Sequence, residues 1–570
     1  MTYPDSYKVA RRRPATARPS VWAGPVAPTS EVSAALIEAF ATQSLELAER
    51  FELVPATPAA PPAPAGPRGA AAAPGVHRQR PARAGKVRVE LDLPEGKDAV
   101  VLLEQDGFYS WQLPTARDGA ATKAAIAAKA TKAAKATKAA KATKAKGPAA
   151  TGIRGASAAE PRSRVVRFEL DVRPAIPARP GARTRPALGP FGDFVIGGLK
   201  AYVLTFASRL IPGALMAFLE RSTRPGLVLM TGTDVKSWSR VDDLSQVKLP
   251  EGRPARILLF VHGTFSTTVG SYGVLTVTAP GKQLLKAAAG SYDAIIGFDH
   301  RTLSRDPLEN AVDLLARLET RQLASAPRID VVSYSRGALV TRSLVEYLLP
   351  CSSWPAEIGT VVFVGGTNAG TLLAEPERWS NLADLYTNLA AGTARSVGFA
   401  TRAAPVAEIV GGLVGGIGAF VKYLASIPAQ DWHIPGLAAM EPDGPFITGI
   451  NATQPGQPAA GTPWYVVSSD FEPKLFDDRH EPPELPRELV AKLADGLVDN
   501  LMGTSNDLVV NTASMTAVDL PAGGGFIKDS LAFGTNGVVH HLNYFAQPQV
   551  CQSLTRWLGV PQSAAPAQNT

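Results

Sequence analysis

The chain runs to 570 residues, more than one ordinary core needs, with 45% apolar and 19% charged residues, the balance of a soluble globular protein. Its net charge of +8 gathers largely in Arg11 to Arg13, in the Arg78 to Arg83 patch and in lysines between Lys123 and Lys146, and no basic-plus-aromatic module accompanies it. That argues against specific nucleic-acid recognition. Two cysteines, Cys351 and Cys551, are too few for a disulfide framework, although the two could pair.

Residues 1–85 read as a disordered Pro/Ala/Arg-rich arm, because runs such as Pro58 to Pro67 cannot build a core. Within it, Leu36, Phe40, Leu45 and Phe51 give a loose amphipathic stripe between Val32 and Leu53. No apolar run follows Arg11 to Arg13, so a signal peptide is not expected, and the predicted location is cytoplasmic. A small β unit is expected over 86–115, opening on the alternating Val87-Arg-Val-Glu-Leu-Asp92.

Residues 116–162 form an Ala/Lys low-complexity linker. Its lysines recur at every third position from Lys129 to Lys144 and drift around any helix, which leaves no apolar face to bury. A second β unit is expected over 163–250. There Val166-Arg-Phe-Glu-Leu-Asp171 repeats the earlier strand at five of six positions, and Val228-Leu229 and Ser237-Trp238 echo Val101-Leu102 and Ser110-Trp111 at an offset of 127. This suggests a duplication, interrupted in the second copy by a helical insert around Phe194 to Leu219.

From 251 to 562 the rhythm becomes buried strand, turn, helix, ahead of a tail at 563–570. Ile257 to Val261, Ala294 to Phe298, Ile329 to Val332, Val361 to Val364 and Trp464 to Val467 are short and continuously apolar. Helix-length segments such as Asn310 to Thr320 and Ala338 to Leu349 separate them. That is the pattern of an α/β fold, a doubly wound and mostly parallel sheet covered on both faces. Its reactive groups belong beyond the C-terminal strand ends. There stand His262-Gly-Thr-Phe265 and Ser333-Tyr-Ser335-Arg-Gly337, the second placed as a nucleophile elbow between strand and helix.

Together these two motifs resemble the lipase and esterase branch of the α/β-hydrolase superfamily, with Ser333 where the elbow usually begins with glycine. The resemblance implies Ser335 as nucleophile, the N–H groups of Thr264 and Arg336 as oxyanion hole (Phe265 as alternate for the first), and His262 as loop support. It also implies the order Ser, acid, His. His540 and His541 are the late histidines; His541-Leu-Asn-Tyr-Phe545 is similar to the base loop of lipase-like sequences, with His540 as alternate. Asp470 follows an apolar strand, whereas Asp507 in Ser505-Asn-Asp-Leu-Val-Val510 resembles the Asn-Asp-Gly-x-Val acid motif of bacterial triacylglycerol lipases, with Leu508 in place of glycine. Asp507 is preferred and Asp470 is the alternate. The stretch from about 371 to 460 is expected to be a helical cap, and the apolar Ile409 to Val421 a buried helix in it rather than a membrane span.

The expected activity is hydrolysis of a small-molecule or lipid ester through an acyl-enzyme on Ser335, with no cofactor or metal. Alternatives are acyl transfer or thioester hydrolysis, or a catalytically silent fold acting as a protein-interaction module.

Overall fold

A computed structural model describes residues 21–24, 31–55, 85–115 (except 95 and 106), 163–172, 199–207, 220, 223–400 (except 321, 322 and 324), 406–452, 462–473, 502–518 and 526–561. The chain divides into two compact units, one of 1–26, 48–102 and 112–208, the other of 27–47, 103–111 and 209–570.

In the first unit, β1 (Val21–Gly24) pairs antiparallel with β2 (Glu46–Pro55). With β4 (Lys97–Gln105) and β7 (Leu199–Ala207) they lie in the order β1-β2-β7-β4. A separate ribbon joins β3 (Gly85–Pro94) to β6 (Ser163–Val172), antiparallel, with Val87 opposite Leu170. The two similar segments at 87 and 166 are therefore partners in one ribbon and not heads of two repeated units. The expected helical insert is also corrected at its start. Leu199–Ala207 is a strand buried at almost every position, its Tyr, Val, Thr and Phe favouring the pleated surface. The rest of that insert, 194–198 and 208–219, lies outside the described residues, as does the Ala/Lys stretch 116–162.

The arm expected over 1–85 holds ordered elements: β1, the helix Glu31–Thr42 and β2. Leu36, Phe40 and Leu45 of the amphipathic stripe are fully buried, which is what fixes the segment. Residues 1–20, 25–30 and 56–84 of the arm lie outside the described residues.

The second unit is built on an eight-stranded sheet. Its strands are β8 (Gly226–Leu229), β9 (Ser239–Val241), β10 (Arg256–Val261), β11 (Ala294–Asp299), β12 (Arg328–Tyr334), β13 (Glu357–Val364), β14 (Trp464–Phe471) and β15 (Ile527–Asn536). The order is β15-β14-β13-β12-β10-β11-β8-β9, parallel from β11 through β15 and antiparallel at β8 and β9. This corrects the boundary at 251, since β8 and β9 complete one edge of this sheet. Two-residue echoes such as Val228-Leu229 are too short to carry a duplication.

Both faces of the sheet are covered. Leu258, Phe260, Val332, Tyr334, Val362 and Val364 point into one core, while Ile257, Leu259, Val261, Ile329 and Val331 point into another. Among the flanking helices is Pro307–Leu318, started by a capping box between Asp306 and Glu309 with proline in the first turn. From β10 the chain goes out to β11 on one side and comes back to β12 on the other. Such a reversal leaves a crevice between the C-terminal ends of β10 and β12. The two motifs at 262–265 and 333–337 border that crevice.

Between β13 and β14 run the helices Trp379–Ala400 and Val406–Ser426. Residues 408–426 are long and apolar enough to cross a membrane, yet 78% of that stretch is buried inside the protein. Both cysteines are free thiols, Cys351 exposed and Cys551 buried.

Candidate active site

β12 ends at Tyr334 and the next helix begins at Gly337, so the chain must turn within two residues. Ser335 makes the turn in the left-handed region, at φ +55°, with its N–H donating to the Val364 carbonyl at 3.0 Å. A turn this tight needs close approach on both sides. A Cβ on Gly337 would lie 2.2 Å from the Val261 carbonyl oxygen, and one on Gly263 2.6 Å from the Ser335 Cβ. Ser333, standing where the related motif has glycine, fits because its hydroxyl donates to the Val362 carbonyl at 3.2 Å.

The elbow presents the Ser335 hydroxyl to His541. Ser335 Oγ is 2.9 Å from His541 Nε2, and His541 Nδ1 is 2.7 Å from Asp507 Oδ2. An ionised carboxylate only accepts, so Nδ1 carries the proton and Nε2 is left to accept from the serine. Asp507 is fully buried and its acceptor sites are filled. Oδ1 takes the N–H groups of Val509 and Val510 at 3.1 and 2.8 Å, and Oδ2 also takes the Tyr544 hydroxyl at 2.9 Å. The His541 N–H donates to the Asp507 carbonyl at 2.9 Å, locking the two loops together. Leu508 stands in the left-handed region at φ +84°, the conformation that glycine supplies in the related motif.

The alternates are placed elsewhere. Asp470 accepts from the Asn506 N–H at 3.2 Å and the Thr535 hydroxyl at 2.7 Å, which ties β14 to β15 and to the acid loop. The His540 ring stands edge-on to Phe471, with centroids 5.9 Å apart. The Phe265 N–H is committed to the Thr302 hydroxyl at 3.1 Å, whereas among the described residues no acceptor takes the Thr264 or Arg336 N–H. No group of three or more His, Cys, Asp or Glu suited to a metal ion occurs among the described residues.

The loop that carries Thr264 is held from below by two stacked imidazoles, His262 and His300, with centroids 4.1 Å apart. The His300 N–H donates to His262 Nε2 at 3.2 Å, so His262 Nδ1 is the protonated nitrogen and donates to the Gly263 carbonyl at 2.9 Å. Nearby, the Glu220 carboxylate gathers the N–H groups of Thr302, Leu303 and Ser304 at 3.0, 2.9 and 2.6 Å. The Arg336 side chain turns away from the crevice and donates to the carbonyls of Arg305 and Gly436 at 2.6 and 3.3 Å. Burial pulls its guanidinium down to about 10.

A small cavity of about 10 Å³ opens on Ser335, and its walls include Thr264, Leu382, Tyr386, Leu437, Met440 and Val509. Tyr386 was not legible as a site residue, because it lies in an unremarkable stretch of the cap and is delivered by helix packing alone. Burial and the Asp507 charge raise its hydroxyl above the usual phenol range. Tyr544 was missed as well, although it lies within the quoted His-x-Asn-Tyr-Phe motif.

Three buried histidines carry a pH signature. Burial lowers His262, drives His300 well down and takes His540 to about 3. Their unfolded value is near 6.5, so below it the unfolded chain binds the extra protons and stability falls. Full stability is therefore present above about pH 6.5 and falls as the pH drops below it; for His540 the loss is about 1.4 kcal/mol per unit and continues to about pH 3. Urea midpoints measured between pH 7.5 and 5.5 check this, and a midpoint that stays flat would contradict it.

A family model described as a domain of unknown function (DUF7379) matches residues 225–559, and another so described (DUF7362) matches residues 1–160. No curated protein matches the sequence. Among solved structures, lipase 1 from Pelosinus fermentans is similar at 12% identity and a TM-score of 0.35, covering 53% of this chain and 99% of that one. EstA from Clostridium botulinum is similar at 12% identity and 0.35, covering 56% and 91%. Staphylococcus hyicus lipase is similar at 12% identity and 0.33, covering 55% and 96%.

Proposed function

Since the chain belongs to the DUF7379 family, whose model spans the whole eight-stranded sheet, we propose from the chemistry of its crevice that it is an α/β-hydrolase-type serine hydrolase cleaving carboxylic esters. The observation that carries this reading is the continuous relay from Ser335 Oγ through His541 to Asp507, at 2.9 and 2.7 Å.

His541 Nε2 takes the Ser335 proton as Oγ attacks the ester carbonyl. The charge that develops on the carbonyl oxygen is met by the N–H groups of Thr264 and Arg336, each such donor contributing about 3–4 kcal/mol to the transition state. His541 then returns the proton to the leaving alcohol. Water, activated by the same imidazole, releases the acid. The Ser335 hydroxyl therefore has a base, the base has an orienting carboxylate, and two N–H groups stand ready beside them.

A small fluorophosphonate tests the reading. Stoichiometric labelling mapped to Ser335, lost in Ser335→Ala and His541→Ala, is the expected result. Folded wild-type protein that does not label would instead favour a non-catalytic interaction module.

A further inference from the structure

The upstream segments of the chain bear on what this site can accept. The helix Trp379–Ala400 has two faces. Leu382 and Tyr386, one turn apart, line the cavity at Ser335. From the other face Asp384, Thr387 and Asn388 grip the strand β5 (Phe108–Gln112). The Asn388 amide accepts the Tyr109 N–H at 2.8 Å and donates to the Tyr109 carbonyl at 2.6 Å, as a neighbouring strand would. Asp384 takes the Trp111 N–H at 2.7 Å, and Thr387 takes the Trp111 indole N–H at 2.9 Å.

The second cap helix, Val406–Ser426, is held just as closely. A Cβ on Gly412 would lie 2.6 Å from the Gly270 nitrogen, and one on Gly416 2.4 Å from the Phe265 Cα, so this helix rests directly on the backbone of the loop that carries Thr264. The Gly416 N–H donates to the Phe265 carbonyl at 3.2 Å. On its far side the Lys422 ammonium donates to the Gln43 carbonyl, and a Cβ on Gly418 would lie 3.1 Å from the Gln43 Cβ.

We infer that this cap is a fixed roof and not a swinging lid, fastened by residues 31–45 and 109–111, and that the site takes acyl groups of about four carbons or fewer. The inference rests on the acyl-enzyme reading of Ser335. A lid that opens for long chains must shed its contacts cheaply, whereas these hydrogen bonds are largely buried and the glycine contacts leave no slack. The cavity at Ser335 has a volume of only about 10 Å³, room for about one water, and Leu373, Leu382, Leu437 and Met440 close it.

The test uses alkyl phosphonofluoridates from methyl to octyl on the full chain, with and without detergent micelles. Attack by Ser335 Oγ forms the O–P bond, expels fluoride and passes the serine proton to His541, so the labelling rate reports acyl-pocket fit whatever the natural leaving group is. Labelling is expected to be fast through butyl and at least about 100-fold slower at octyl, in either medium. Leu382→Ala, which enlarges the cavity, and Asn388→Ala, which unfastens the roof, are each expected to raise the octyl rate about tenfold. Octyl labelling as fast as butyl, or restored by detergent, overturns the inference while leaving the acyl-enzyme reading intact. Octyl rates unchanged in both folded variants overturn the roof. Absence of labelling with every probe overturns both readings together.

Discussion

Exchange of Asp507 for asparagine is expected to lower ester turnover by about 10⁴-fold while leaving the fold in place, the size of effect that loss of the orienting carboxylate has in a serine protease triad. Asparagine is nearly isosteric, and its carbonyl oxygen can still accept the Val509 and Val510 N–H groups that hold Oδ1 now. Its amide nitrogen then faces His541 Nδ1. Because that nitrogen donates, the imidazole must accept there and carry its proton on Nε2, where it cannot take one from Ser335. The loss should fall on kcat and on the phosphonate labelling rate alike, with a melting temperature within a few degrees of the wild type. Asp470→Asn is the control. Its carboxylate bonds to Asn506 and Thr535 and not to an imidazole, so turnover should stay within a few-fold. Equal losses in the two variants would remove Asp507 from the mechanism.

Glu346→Ala is expected to be the most damaging single change to stability away from the crevice. Arg342 and Glu346 form an ion pair at 2.6 Å in the helix behind the elbow, both essentially without solvent exposure. The same guanidinium donates to Asn451 Oδ1 at 2.8 Å and to the Ile450 carbonyl at 3.0 Å, tying that helix to the end of the cap. Removing one carboxylate from a buried ion pair costs about 3–5 kcal/mol, because the buried guanidinium loses a compensating charge. For a unit of this size a kcal/mol corresponds to roughly 2 °C, so the melting temperature should drop by at least about 6 °C. Replacing both partners with leucine and methionine should recover much of that loss, because the desolvation cost goes with the charges. A double variant as unstable as the single one would show that the damage comes from packing and not from charge.

What could be read in the sequence follows from how each element declares itself. The central strands β10 to β14 are buried on both faces and therefore appear as unbroken apolar runs. β15 was missed because it is an edge strand whose side chains are largely exposed, and Ile527-Lys-Asp-Ser-Leu has no such run. β8 was assigned to the wrong unit because four residues cannot say which sheet they join. The order of Ser335, Asp507 and His541 was legible from motif chemistry. Tyr386 and the hold of Tyr109 and Trp111 on the cap were not, since each joins residues that only the fold brings together, 279 apart for Tyr109 and Asn388. Leu508 departs from the glycine of the related acid motif. It is a bulky residue held in a conformation that glycine adopts more cheaply.

Phe265, Ser335 and Leu508 all stand in the left-handed region, at φ +61°, +55° and +84°, and each bends one of the three loops that meet at the crevice. Backbone of this kind costs about 1–3 kcal/mol per residue, so together the three withhold a sum comparable to the about 5–15 kcal/mol of net stability typical of a whole domain. Their side chains repay part of this, being nearly or wholly buried, which is why glycine would be no simple improvement at any of them. The crevice is thus sprung against the body that carries it. Whatever loosens the surrounding packing, whether heat, acid or a distant cavity, is expected to disturb the turn at Ser335 before the sheet gives way.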